Sequence, residues 1–398
     1  MANMMDYLDW RGDLTFEASP FNEVDNLILA QLVYVDFEGI VPETGEERAG
    51  DCGGKGAAQE GVPLWEASEK FWSEHTKEEI LARVSMTKSA AFVMEKMAQT
   101  VRFKDICLWG YVNEISDEEQ SQFSVVCVTL PDESIYVAFR GTDNTITGWR
   151  EDFNMGYLSE TPGQLKAVAY MERMIKPEHG VIRVGGHSKG GNLAVYASVK
   201  CNEALQERII AVYSNDGPGF RRDMIESAQY QKMLPKIHTI LPESSIVGML
   251  LEHQEKYEVV RSSHSGIQQH DATSWEVLGA SFVYVKEVAA QSLILDEAMK
   301  AWLYQLDGEE REQIVDTVFG MLEEANIKTV DDFYNSKWKK VQELMKAKNR
   351  LPEANQKLFA KALKLLWKTG NDTVKKNVKQ AVMDMRTAAS LTEQSEQE

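Results

Sequence analysis

The stretch VIRVGGHSKGGNLAVYASVKC, residues 181–201, decides the fold. Val181 to Val184 is a short β-branched run, the pattern of a buried strand, and Asn192 to Cys201 reads as a helix. Between them lies Gly186-His187-Ser188-Lys189-Gly190, a Gly-x-Ser-x-Gly pattern at a strand-to-helix turn. In that context the serine sits on a sharp turn, in backbone torsions that are costly for a residue bearing Cβ. Gly186 and Gly190 keep the crossing of strand and helix free of side chains. The helix N-terminus points amide donors at the serine, where an oxyanion would form. The bland alternative is a glycine-rich turn with an incidental serine. The strand before and the helix after favour a nucleophile at Ser188.

Working outward, Ser124 to Leu130 and Ile135 to Phe139 are β-branched runs separated by the turn PDES, which predicts a hairpin. Arg140-Gly141-Thr142 follows, then Trp149 and Asp152. An oxyanion donor belongs on a loop after an earlier strand, so the backbone N–H of Thr142 is one candidate and that of Lys189 the other. Helices are expected around Thr147 to Met155 and from Gly163 to Ile175, and strands at Ile209 to Tyr213, His238 to Leu241 and Glu258 to Arg261. This alternation predicts an α/β fold: a mainly parallel sheet with helices on both faces.

AFRGT (138–142), then Trp149 and Asp152, then GGHSKGGNLA (185–194) resemble the fungal-type (class three) lipases and their bacterial relatives. SNDGPGF (214–220) resembles their FGxPxxG turn. WRGD (10–13), the elbow, PESSIVGMLL (242–251) and QHDATSW (269–275) look more closely like a bacterial family of lipase-like proteins. The resemblance covers roughly Ser124 to Trp275 and implies the α/β-hydrolase fold. It implies no particular substrate.

The base should be a histidine after the last core strands. His238 lies within a strand and is tied to one sheet face. His270 falls in a loop after the strand EVVRS and also matches the lipase histidine by order, so it is favoured over His264. Chain order then requires an acid between Ser188 and His270. The lipase pattern places an aspartate after the strand KIHTIL, where this sequence reads Pro242-Glu243-Ser244-Ser245. Glu243 is the nearest carboxylate there, and Asp216, after the preceding strand, is the alternative. These residues predict a serine hydrolase acting on a small-molecule or lipid ester through an acyl-enzyme, with no cofactor and no metal. The departure at the acid and the extra helical region keep a second reading open, a catalytically silent hydrolase fold serving as a binding or regulatory module.

Composition bounds the rest. The chain has 398 residues, 43% hydrophobic and 26% charged, with a formal net charge of −19. Acid dominates through Asp332, which disfavours nucleic acid and anionic membrane as partners of the main domain. No apolar run is long enough to span a bilayer, and Met1 to Asp13 lacks a secretory pattern. Cys52, Cys107, Cys127 and Cys201 form no CxxC and read as thiols of a reduced cytoplasm.

The expected organisation is a hydrolase domain over residues 1–285, with a Gly-rich loop or cover at 42–63, a helical appendage over 286–390 and a disordered tail at 391–398. From Phe333 to Arg386 there are fourteen Lys and Arg against four acids. Helical stripes such as Phe359, Leu363 and Leu366 must be buried. The appendage is expected to pack against the hydrolase core with its basic face solvated, rather than dock on a membrane.

Overall fold

The computed structural model describes residues 1–43, 50–51, 60–82, 88–143, 146–325 and 327, with a scatter of positions between 346 and 368. Two asparagines start the chain's first helices. Asn3 caps α1 (Met4–Arg11) and Asn22 caps α2 (Glu23–Leu32), each in a capping box closed by the aspartate three residues on. The short β1 (Gly50–Asp51) and β2 (Glu60–Pro63) follow, then α3 (Leu64–Glu74), α4 (Lys77–Ala82) and α5 (Ser89–Met97). The helical spacing over Lys77 to Val101 is therefore split between two helices. Every residue of α2 from Val24 to Leu32 is buried. Beneath it Arg102 and Asp25 form an ion pair at 2.5 Å with both side chains fully buried, and the guanidinium also donates to the Ser19 carbonyl.

The sheet proper begins with β3 (Cys107–Ser116), β4 (Ser121–Thr129) and β5 (Ile135–Phe139), all antiparallel neighbours. Next come α6 (Ile146–Asn154), α7 (Pro162–Met174), β6 (Ile182–His187), α8 (Lys189–Lys200), α9 (Glu203–Arg208) and β7 (Ile209–Asn215). Then α10 (Arg222–Ile225), α11 (Ala228–Met233), β8 (Ile237–Pro242), β9 (Tyr257–Val260), β10 (Val277–Leu278), β11 (Ser281–Phe282) and β12 (Tyr284–Val285) complete the strands. The described strands form a ten-stranded sheet in the order β1-β2-β3-β4-β5-β6-β7-β8-β9-β12, and β10 pairs with β11 separately. Strands β5 to β9 are parallel, and the flanks are antiparallel. The sheet is thus mixed, with a parallel centre and antiparallel flanks.

Successive parallel strands are spatial neighbours, so their crossover helices fall on one face. Val125, Cys127, Ile135, Val137 and Phe139 share one apolar cluster with α7 and α8. The alternate residues Val126, Val128, Tyr136 and Ala138 share the other with α1, α2 and α5. The period-2 side-chain alternation of β4 and β5 therefore feeds two cores, which is why β4 is buried along its whole length.

After β12 the described helices are α12 (Ala290–Tyr304) and α13 (Gly308–Glu324). α13 lies against α6 through Phe153 and Phe319, at 5.7 Å between ring centroids, and through Arg150 paired with Asp316 and Glu323. Most of the expected cover at 42–63, the basic stretch 333–386 and the tail 391–398 lie outside the described residues. The four-thiol reading fails at Cys107, which is disulfide-bonded; Cys127 and Cys201 are free and buried. Among the described residues no helix is long and apolar enough to cross a membrane.

Candidate active site

The chain turns sharply between β6 and α8, and Ser188 takes the corner with φ 59° and ψ −133°. That left-handed φ is strained for a residue with Cβ and is held by its surroundings. A Cβ on Gly186 would stand 2.3 Å from the Gly190 carbonyl carbon, and one on Gly190 would stand 2.1 Å from the Phe139 oxygen. Strand, helix and the 140–142 loop can meet only because both positions are glycine. Beneath the elbow, Asn215 donates to the Gly186 carbonyl, and Asn26 donates to the Asn215 side chain at 2.9 Å.

His270 ends the 3-10 turn Gly266–His270 and reaches Ser188 Oγ with Nε2 at 3.0 Å. Its Nδ1 meets Asp216 Oδ2 at 2.6 Å. Glu243, the expected acid, is not the carboxylate at the ring. β7 is the direct neighbour of β6, whereas Glu243 follows β8, a strand farther from the serine. Glu243 instead ties backbone to backbone: its N–H donates to the Val260 carbonyl, and its own carbonyl accepts from Ala289. Asp216, the alternative acid, leaves the end of β7 with φ 49°. Its Oδ1 accepts from the Ser245 hydroxyl at 2.5 Å and the Gly248 N–H at 3.1 Å. Burial opposes its charge, but the hydrogen bond and positive field of His270, helped by Ser245, hold the carboxyl below its usual range. His264 is exposed, with Nδ1 3.2 Å from the Gln268 carbonyl, outside the cluster.

The loop that carries His270 is fixed by groups the sequence did not single out. His187 Nε2–H donates to the His270 carbonyl at 2.8 Å, and Trp275 Nε1–H donates to the Gln269 carbonyl at 2.9 Å. Burial, and then the neighbouring His270, push the His187 imidazole down to about 3, so that ring is neutral. Tyr34 Oη lies 3.3 Å from its other nitrogen.

Opposite the histidine, a Cβ on Gly141 would stand 3.0 Å from Ser188 Cβ, so the 140–142 loop lies directly against the serine. Thr142 Oγ1 donates to Asp152 Oδ2 at 2.7 Å. Lys189 is the first residue of α8, where a backbone N–H has no intrahelical acceptor. Its side chain turns inward: Nζ donates to Glu151 Oε2 at 2.7 Å and to the Gln122 carbonyl at 2.8 Å, with both partners of the ion pair essentially unexposed. Glu151 also accepts from the N–H groups of Gln122 and Gly163. Adjacent carboxylates of α6 therefore hold both candidate oxyanion positions, Asp152 through Thr142 and Glu151 through Lys189. The sequence signal for Glu151 was a lysine inside a tight buried turn, which demands a counter-ion. Among the described residues no cluster of three or more His, Cys, Asp or Glu is placed to hold a metal ion.

The profile of the Mbeg1-like family matches residues 97–320, more than half of the chain, and spans the elbow, Asp216 and His270. No curated protein matches the chain significantly. Among solved structures, a Rhizomucor miehei lipase propeptide complex is similar at 16% identity and a TM-score of 0.31, covering 45% of this chain and 70% of that one. M37 lipase is similar at 18% identity and a TM-score of 0.30, with 44% and 70% covered.

Proposed function

We infer that this chain, which belongs to the Mbeg1-like family, is a serine hydrolase that cleaves carboxylic esters of small molecules or lipids through an acyl-enzyme on Ser188. The observation that carries the reading is the continuous chain Ser188 Oγ, His270, Asp216, at 3.0 and 2.6 Å, on a strained elbow. His270 takes the serine proton as Oγ attacks the acyl carbon, then gives it to the leaving alcohol. Water repeats the attack on the acyl-enzyme, with His270 as base again. Asp216 holds the tautomer with Nδ1–H toward itself and stabilises the imidazolium. The N–H groups of Thr142 and Lys189 receive the oxyanion, the first kept in place by Asp152 and the second by the helix start. A buried acid on His270 removes the chief motive for a catalytically silent fold.

Fluorophosphonate labelling tests the reading. The wild type should label covalently on one serine, and Ser188→Ala should not label. A wild type that stays unlabelled, or an unchanged Ser188→Ala, overturns it.

A further inference from the structure

Between residues 220–223, residues 251–252 and the C-terminal helices the chain forms a half-open cavity of about 370 Å³, within the range of small-molecule sites. Two segments that start at the serine cluster reach its wall at Phe220 and at Leu251. One runs from Asp216 through Gly217, where a Cβ would stand 2.8 Å from the Ser188 carbonyl oxygen, to Phe220. The other runs from Gly248, a donor to Asp216, to Leu251 and Glu252. The segments are zipped by Gly219 N–H to Leu250 O and Phe220 N–H to Glu252 O, both at 2.9 Å. Leu251 carries its side chain at φ 64°, strain of the kind that gathers at functional sites. α12 and α13 supply the outer wall.

The lining is cationic in a chain whose net charge is −19. Arg221, Arg222, Lys300 and Arg311 face it, against Asp223 and Glu252. Arg221 donates to the Tyr157 carbonyl and to Asp223, and Lys300 pairs with Asp296. Arg222, at the start of α10, has its guanidinium in no ion pair among the described residues. A smaller cavity of about 120 Å³ adjoins the first and shares Gly156, Tyr157 and Arg311 with it. The rest of its lining is apolar, from Phe153 on α6, Trp302 on α12, Leu306 between the C-terminal helices, and Ile314, Val315, Val318 and Phe319 on α13.

We propose that these joined chambers bind a single-chain carboxylate amphiphile, with its head among the arginines and its tail against α13. The guanidinium of Arg222 offers a carboxylate a bidentate fork, and the apolar chamber takes methylenes out of water. That the ligand is the acid released at Ser188 rests on the hydrolase reading; the binding itself does not.

Calorimetric titration of the full chain carrying Ser188→Ala separates the two. Octanoate should bind at one site at least tenfold more tightly than octan-1-ol or acetate, and hexanoate roughly tenfold more weakly than octanoate, from the methylenes lost. Arg222→Glu should weaken octanoate at least tenfold and leave octan-1-ol unchanged, with Arg222→Gln intermediate and both variants melting like the parent. Absence of octanoate binding, equal binding of octan-1-ol, or indifference to Arg222→Glu overturns the site. Labelling of the wild type by fluorophosphonate would still stand in that case, and its failure would leave the calorimetric result intact.

Discussion

His187 holds the backbone of His270: its Nε2–H donates to the His270 carbonyl at 2.8 Å, with the ring centroids 4.6 Å apart. A neutral imidazole makes this contact without placing a positive charge beside the His270 ring. The arrangement makes stability depend on acid. In the folded chain His187 is pushed down to about 3, against an unfolded value of about 6.5. Its contribution is fully present above about pH 6.5 and is lost as pH falls toward 3, by at most about 1.4 kcal/mol per unit. The urea midpoint of the wild type should therefore drop between pH 6 and pH 4. His187→Gln, which keeps a donor but does not titrate, should show a shallower drop. Identical slopes would show that His187 is not the group responsible.

The choice of acid makes a sharper contrast. Asp216→Asn leaves an amide at Nδ1 of His270 and favours the wrong tautomer, so kcat on a short-chain nitrophenyl ester should fall by about 10³–10⁴. Glu243→Gln should stay within about twofold, since that side chain serves no ring nitrogen and substitutions away from such features are close to neutral. Ser245→Ala removes one donor to Asp216 and should destabilise the fold by about 1.5–3 kcal/mol, measured by urea unfolding. If Glu243→Gln lost as much rate as Asp216→Asn, the assignment of the acid would be wrong.

How far the sequence carried the site follows from which constraints are local. The elbow was legible because its glycines answer contacts within a few residues, Gly186 against Gly190. The place of the acid depends on strand adjacency, β7 beside β6 and β8 one further out, which no periodicity records. The lipase pattern, which places the acid after the strand KIHTIL, accordingly ranked Glu243 above Asp216. The strand β3 escaped notice because Gly110, at φ 67°, interrupts it beside a register shift between Trp109 and Val112. Beyond Val112 the strand is exposed at Asn113, Glu114 and Ile115, so the apolar run stops midway and no alternation marks the rest. The pairing of Lys189 with Glu151 crosses from one helix to another and left only half of its signal in the motif.

That pair should behave as a buried ion pair does when cut. Lys189→Met or Glu151→Gln alone strands one partner and should cost about 3–5 kcal/mol in urea unfolding. The double variant Lys189→Met with Glu151→Gln should recover much of that loss, because no unpaired charge is left inside. Additive losses in the double variant would mean that the two side chains do not act on each other.

Asp152 runs opposite to His187 in its response to pH. Burial, opposed by Lys189 and the Thr142 hydroxyl, pushes its carboxyl up to about 6 from an ordinary value near 3.8, and its buried Oδ1 has no hydrogen-bond partner among the described residues. A raised carboxyl favours the folded state while protonated, so this contribution is present below about pH 3.8 and is lost as pH rises through 6. At pH 7 the fold carries the burden of a desolvated charge, held because Asp152 anchors Thr142 at 2.7 Å. Asp152→Asn retains an oxygen for the Thr142 hydroxyl and sheds the charge. Its unfolding midpoint should exceed that of the wild type at pH 7 to 8, with the gain vanishing near pH 4. Asp152→Ala, which leaves the Thr142 hydroxyl without its acceptor, should lower kcat by up to the 10²–10³ that loss of one oxyanion donor costs, while KM changes little. A gain that persisted unchanged at pH 4, or a kcat for Asp152→Ala equal to that of the wild type, would separate Asp152 from the oxyanion loop.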